Sequence, residues 1–134
     1  MPHCVILYTP NLETRTEVGA LCRKLADTML TIRDEDGKPV FPTGGTRVLA
    51  YPAAHYAVAD GQDDYAFMYV NVRMGAGRSE AVQKKAGDRL MDVVKAHFAP
   101  IFDKELVGIT LQIDESPGQV YDAKHSTLHP LFNK

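Results

Sequence analysis

The order of strand-like and helix-like stretches is the feature that most constrains the fold of this chain. A near-continuous apolar run at residues 3–8 is typical of a strand buried on both faces, and Pro10 ends it. A helix follows, with Asn11 as its expected N-cap, because apolar residues then recur at helical spacing: Val18, Leu21, Cys22, Leu25 and Met29. A short strand at residues 46–51 comes next, and Pro52 ends it or places it at a sheet edge.

The second half repeats this order. Residues 65–73 are rich in aromatic and β-branched side chains and predict a strand. Ser79 is the expected N-cap of a helix that ends near Pro100, and its predicted buried face consists of Val82, Ala86, Leu90, Val93 and Ile101. Residues 106–114 alternate with period two and predict the last strand.

Two strand–helix–strand units predict an α+β fold: two βαβ units forming a four-stranded mixed sheet with both helices on one face. The other face of the sheet would then be apolar, and the chain offers no further element to cover it. Self-association is the simplest way to bury such a face. We therefore expect an oligomer.

Composition excludes several classes of function. The 134 residues predict one domain over residues 1–134, and a formal net charge of −2 argues against nucleic-acid binding and against a basic membrane-binding face. No apolar run approaches the roughly 20 residues of a membrane span, and the first residues lack the pattern of a signal peptide. We expect a cytoplasmic protein in which Cys4 and Cys22 are reduced core residues.

Pro2 is the first candidate for chemistry. An initiator Met is usually removed before a small residue such as proline, so Pro2 would carry a free secondary amine at the start of the first strand. A free α-amine has a pKa of about 8 in model compounds, and burial or a neighbouring cation lowers it. Such an amine can be neutral near pH 7 and act as a general base. The alternative is an ordinary N-terminal proline without a catalytic role.

Two arginines occupy similar places in the two halves. Arg47 follows Gly44-Gly45, and Arg78 follows Gly75-Ala76-Gly77 beside a helix N-terminus, where backbone N–H groups favour anions. Both are candidates for binding a carboxylated substrate, and Arg73 at the end of its strand is a weaker third. The alternative is that they are solvated surface residues.

Other motifs are weak. The Gly75-Ala76-Gly77 turn lacks the third glycine of a dinucleotide-binding fingerprint, and no P-loop is present in the sequence. His125 and His129 are four residues apart, but no matching carboxylate or cysteine completes a metal site, so a solvated tail is expected there. The acidic loop 60–64 lacks a full EF-hand pattern.

Several segments resemble one known family in the same order along nearly the whole chain. They are Met1-Pro2-His3, Phe41-Pro42, Gly45-Thr46-Arg47, the run at residues 59–67 and Gly75-Ala76-Gly77-Arg78-Ser79. The chain resembles the 5-carboxymethyl-2-hydroxymuconate isomerases of the tautomerase superfamily. It departs from them at residues 48–58, where family members carry a tryptophan, and in a longer polar loop at residues 33–38.

The resemblance implies an isomerase that uses no metal and no organic cofactor. Pro2 would be the catalytic base, Arg47 and Arg78 would bind or polarise the substrate, and the assembly would be a homotrimer of double βαβ subunits. The substrate would be a carboxylated 2-hydroxydienoate, 5-carboxymethyl-2-hydroxymuconate, in homoprotocatechuate degradation. Two alternatives stay open: a tautomerase of another enol or α-keto acid, and a trimeric ligand-binding protein without turnover. The presence of Pro2, Arg47 and Arg78 together argues against the second.

Overall fold

The computed structural model describes residues 3–132 and contains the predicted order of elements. A four-stranded sheet carries two long helices, and a short third helix lies near the C-terminus. The elements are β1 His3–Tyr8, α1 Val18–Met29, β2 Val48–Pro52, β3 Ala66–Gly75, α2 Glu80–Phe102, β4 Val107–Ser116 and α3 Leu128–Phe132. Two 3₁₀ turns, Pro10–Thr14 and Thr43–Gly45, precede α1 and β2.

The strand order in the sheet is β2-β1-β3-β4. β1 pairs in parallel with β2, β3 pairs in parallel with β4, and the central β1–β3 pair is antiparallel. Parallel neighbours need a long crossover, and α1 and α2 provide one for each pair. The prediction of two βαβ units in one mixed sheet is therefore confirmed.

The helix α2 begins where its sequence predicts. Ser79 accepts a hydrogen bond from the backbone N–H of Val82 at 3.2 Å, and Glu80 lies in the first turn. The buried face differs in detail from the prediction: Val94 and Phe98 are fully buried, whereas Val93 and Ile101 lie only partly buried at the margin of the core. The helix also continues through Pro100 to Phe102.

The expected N-cap of the first helix is wrong. Asn11 lies inside the 3₁₀ turn Pro10–Thr14, and α1 begins at Val18 after Glu17, which makes no side-chain cap hydrogen bond. The Asn11 amide instead donates to Asp64 Oδ1 at 3.0 Å and to the Tyr65 carbonyl at 2.8 Å. Its role is to tie the end of β1 to the loop before β3.

The two faces of the sheet have different surroundings. On the helix side the alternating residues of β1 and β3 are buried in a single core. On the opposite face four large side chains are exposed by between 36% and 51%: Leu7, Leu49, Tyr51 and Phe67. We call these four residues the apolar patch.

The part of the helix-free face formed by β4 and by β3 beyond Phe67 is polar, which differs from the expected apolar face. Tyr69 donates to Gln112 at 2.9 Å, and Asn71 donates to Asp114 at 2.8 Å. These hydrogen bonds connect β3 to β4. The apolar patch is therefore confined to β1, β2 and the first residues of β3.

Within residues 3–132, none of the helices has the length and apolar character needed to cross a bilayer.

Candidate active site

One edge of the sheet gathers the candidate residues because of strand direction. β1 begins at His3, and its parallel neighbour β2 begins at the same edge. β3 runs the other way and ends there, so Arg73 is the Cα partner of His3. We call this edge, where β1 begins, the β1-start edge. Pro2 precedes His3 in the sequence but lies outside the described residues, so its role stays a prediction.

Arg47 sits at the β1-start edge directly before β2. Its carbonyl accepts a hydrogen bond from the backbone N–H of Cys4 at 2.9 Å, which fixes its backbone next to the first residues of β1. The preceding residue, Thr46, donates its hydroxyl to the Pro42 carbonyl at 2.7 Å. The Arg47 side chain is exposed. A fixed backbone with an accessible guanidinium suits binding of an anionic ligand.

A cavity of about 710 Å³ opens beside Arg47. It is bounded by α1, the Thr43–Gly45 turn, the start of β2 and the C-terminal helix α3, and Cys22 and Arg23 contribute to its wall. Its volume is within the range of small-molecule sites. Arg47 therefore faces a space large enough for a small carboxylated molecule.

The helix α3 also belongs to this region, and it was not predicted from the sequence. Residues around His129 were expected to form a solvated tail, but Leu128–Phe132 is helical and packs on the Thr43–Gly45 turn. A Cβ at Gly44 would lie 3.4 Å from His129 Cα, so glycine permits this close approach. The available signal was Ser126, whose hydroxyl accepts the backbone N–H of Leu128 at 3.0 Å as an N-cap does.

Arg78 lies three residues after β3, at the same edge, and is held by other residues. Its Nη1 donates to Asp34 Oδ2 at 3.0 Å, and its Nη2 donates to the Val40 carbonyl at 3.4 Å. Its side chain is 29% exposed. The pKa of Asp34 is below its ordinary value, first because the Lys38 backbone N–H bonds the carboxylate and also because Arg78 lies beside it. Asp34 is therefore held as a carboxylate beside Arg78.

Arg73 is exposed on the helix-free face. Its cross-strand Cα partners are His3 on β1 and Asp114 on β4. The Asp114 carboxylate accepts from Asn71, and none of the ion pairs found within residues 3–132 involves Arg47 or Arg73. Arg47 and Arg73 thus differ from Arg78, whose charge is already paired.

The histidine pair near the C-terminus shows no sign of metal binding. In the part of the chain that the structure describes, no group of three potential ligands among His, Cys, Asp and Glu comes together. His129 Nδ1 lies 2.9 Å from the Ser126 hydroxyl, a contact that orients the ring within α3.

A family model and a protein of known function that are similar to this chain carry the same description. A family model described as 5-carboxymethyl-2-hydroxymuconate isomerase matches residues 2–132. A 5-carboxymethyl-2-hydroxymuconate Delta-isomerase of Escherichia coli is 28% identical over 132 residues, which cover 98% of this chain and 99% of that protein.

Solved structures agree. The chain in a crystal structure of a 5-carboxymethyl-2-hydroxymuconate delta-isomerase is 55% identical in sequence to this chain, with a TM-score of 0.93. The match covers 100% of this chain and 94% of that chain. A 5-carboxymethyl-2-hydroxymuconate isomerase from Deinococcus radiodurans R1 is 33% identical, with a TM-score of 0.83 and coverage of 99% and 95%. A macrophage migration inhibitory factor-like protein from Entamoeba histolytica shares the fold alone, at 13% identity and a TM-score of 0.54 over 93% and 96% of the two chains.

Proposed function

The chain belongs to the 5-carboxymethyl-2-hydroxymuconate isomerase family, and on that premise we propose that it isomerises 5-carboxymethyl-2-hydroxymuconate without a cofactor. The observation that carries the proposal is the gathering of Arg47, Arg73 and Arg78 at the β1-start edge. The substrate carries three carboxylates. A chain with a net charge of −2 can attract it only through such a local group of cations.

The proposed base is the amine of Pro2 after removal of Met1. A free α-amine has a pKa near 8, and positive charge close to such an amine lowers that pKa, because it disfavours a second positive charge. The neutral amine takes the proton of the substrate's 2-hydroxyl group. The O–H bond breaks, the C=O bond forms, and the electron pair moves along the conjugated chain. The Pro2 ammonium then delivers the proton to a distant carbon, so a C–H bond forms and the amine is restored.

The arginines have two different roles in this proposal: stabilising charge on the substrate and binding its carboxylates. Negative charge builds on the 2-oxygen between the two proton transfers, and the exposed Arg47 guanidinium stabilises it. Arg78 binds a substrate carboxylate with the donors that its protein contacts leave over, and Arg73 is a third cation for the same purpose. Arginine suits these tasks because it can form two parallel hydrogen bonds with one carboxylate.

The proposal also covers the oligomeric state, the domain organisation, the cellular location and the partners of the enzyme. We propose a homotrimer, in which the apolar patch is covered by neighbouring copies, and a single tautomerase-like domain over residues 1–134. We also propose a cytoplasmic role in homoprotocatechuate degradation, with no nucleic-acid or membrane partner.

A substrate comparison tests the proposal. Turnover of 5-carboxymethyl-2-hydroxymuconate, followed by its ultraviolet absorbance, is compared with ketonisation of the enol of phenylpyruvate, which carries one carboxylate. Charged hydrogen bonds contribute about 1.5–3 kcal/mol each, so we expect kcat/KM to favour the tricarboxylate by about 10²-fold or more. Faster turnover of phenylpyruvate would point to another enol acid as substrate. Binding without turnover of either compound would contradict the proposal and favour a ligand-binding protein.

A further inference from the structure

The polar loop at residues 33–38 has a defined structure built on one carboxylate. Asp34 Oδ1 accepts the backbone N–H groups of Asp36 and Lys38, both at 2.9 Å. The loop is closed by the Asp34 N–H, which donates to the Lys38 carbonyl at 2.9 Å, and by Gly37 at a φ of 77°. One oxygen of Asp34 thus fixes the turn, which leaves the other oxygen available.

The second oxygen of Asp34 is directed at Arg78. Oδ2 accepts from Arg78 Nη1 at 3.0 Å, and the Asp34 side chain is only 13% exposed. The Val40 carbonyl accepts from Nη2 on the same guanidinium. Each of the two Nη atoms of Arg78 donates to a separate acceptor, which defines the orientation of the planar guanidinium. The remaining N–H donors stay available for a ligand.

Contacts that do not involve Asp34 also hold this loop against α2. The Ser79 hydroxyl donates to Glu35 Oε2 at 2.5 Å, and Lys85 Nζ donates to the Arg33 carbonyl at 3.1 Å. A change confined to the Asp34 carboxylate would therefore leave the loop attached to the helix.

From this arrangement we propose that Asp34 is a positioning residue, which holds the Arg78 guanidinium in the orientation that binds a substrate carboxylate. The inference rests on the proposed function, since it takes Arg78 as a substrate-binding residue. An unrestrained arginine loses side-chain entropy when it is ordered on binding a ligand. Asp34 orders the side chain before substrate arrives, so the bound complex does not bear that cost.

Asp34→Asn is the sharpest variant. The amide oxygen still accepts the two backbone N–H groups, so the turn is retained, but the amide nitrogen replaces Oδ2 and turns an N–H donor toward Arg78. We expect KM to rise by about tenfold, a loss near that of one charged hydrogen bond, with kcat changed less than about twofold. Asp34→Ala should act in the same direction.

Asp36→Ala is the matched control, because Asp36 is an exposed acid of the same loop. It removes the same charge, and we expect a KM equal to or slightly below that of the original protein. If Asp34 merely neutralised Arg78, its removal would free positive charge and lower KM. A fall in KM for Asp34→Asn would therefore overturn the proposal.

A double-mutant cycle separates the two levels of the argument. In the Arg78→Ala background, Asp34→Asn should have no further effect on KM. If Arg78→Ala alone keeps the original kinetics, the proposed role of Arg78 fails. If Arg78→Ala is impaired but Asp34→Asn is not, or if the two effects are additive, only the positioning role of Asp34 fails. Circular dichroism and thermal unfolding check that each variant is folded.

Discussion

Two adjacent residues of β1 offer a matched test of what each face of the sheet does. Ile6 points into the core and is 0% exposed, whereas Leu7 belongs to the apolar patch and is 49% exposed. Ile6→Ala removes buried methyl groups and leaves a cavity, so it should lower the free energy of unfolding by about 2–5 kcal/mol. Because half of the Leu7 side chain already meets solvent, Leu7→Ala should cost the isolated protomer only about 1 kcal/mol.

The proposed trimer adds a second effect for Leu7. If neighbouring copies bury the exposed half of this side chain, its removal costs about 1 kcal/mol per protomer in association, or about 3 kcal/mol for three protomers. That energy corresponds to about a 10²-fold weaker association constant. Ile6→Ala should leave association nearly unchanged, provided that the protomer remains folded.

Urea unfolding at several protein concentrations and light scattering measure the two effects separately, since stability that comes from assembly depends on concentration. Leu7→Ala should be more sensitive to dilution than the original protein. A Leu7→Ala variant that loses as much protomer stability as Ile6→Ala, with unchanged association, would refute the assignment of the patch to an interface. A monodisperse monomer of the original protein would refute the trimer.

Three further predictions concern single sites. Arg47→Ala should lower kcat by about 10²- to 10³-fold, and Arg78→Ala should mainly raise KM, as measured by steady-state kinetics. If both variants keep the kcat and KM of the unmodified protein, neither arginine belongs to the site. Burial raises the pKa of the Cys4 thiol to about 12, and partial burial raises that of Cys22, so iodoacetamide at pH 8 should modify Cys22 first. Equal labelling rates by peptide mass spectrometry would contradict this. Burial, and secondarily the charge of Lys24, lowers the pKa of His97. As pH falls below about 6.5, the unfolded state therefore takes up a proton before the folded state does, and the free energy of unfolding decreases. His97→Gln should reduce the fall in Tm between pH 7.5 and pH 5.5, and an unchanged fall would exclude His97 as its source.

The fold was predictable because the patterns that define it are local. The aromatic and β-branched residues of β3 and the apolar face of α2 each reflect burial against a single core, and Ser79 caps α2 as its position indicates. Asn11 was misassigned for a similar reason. It has the side chain of an N-cap, but its actual partners, Asp64 and Tyr65, are more than 50 residues away, and local spacing cannot reveal them.

The candidate site was predictable only in part. Strand order brings Arg47, Arg73 and Arg78 to one edge, which follows from the predicted topology once β1 and β3 are antiparallel. The contact between Arg78 and Asp34 spans 44 residues and depends on the conformation of a loop, so no periodic pattern indicates it. The packing of α3 on the turn around Gly44 is equally non-local.

The N-terminal residue tests the central claim most directly. Mass spectrometry of the purified protein should show that Met1 is absent, so that Pro2 carries a free amine. A variant with a lysine inserted between Met1 and Pro2 keeps its methionine and turns the Pro2 nitrogen into an amide, which has no basic lone pair. The account predicts that this variant remains folded by circular dichroism and loses isomerase activity. Full activity in this Met1-retaining protein would contradict catalysis by the Pro2 amine.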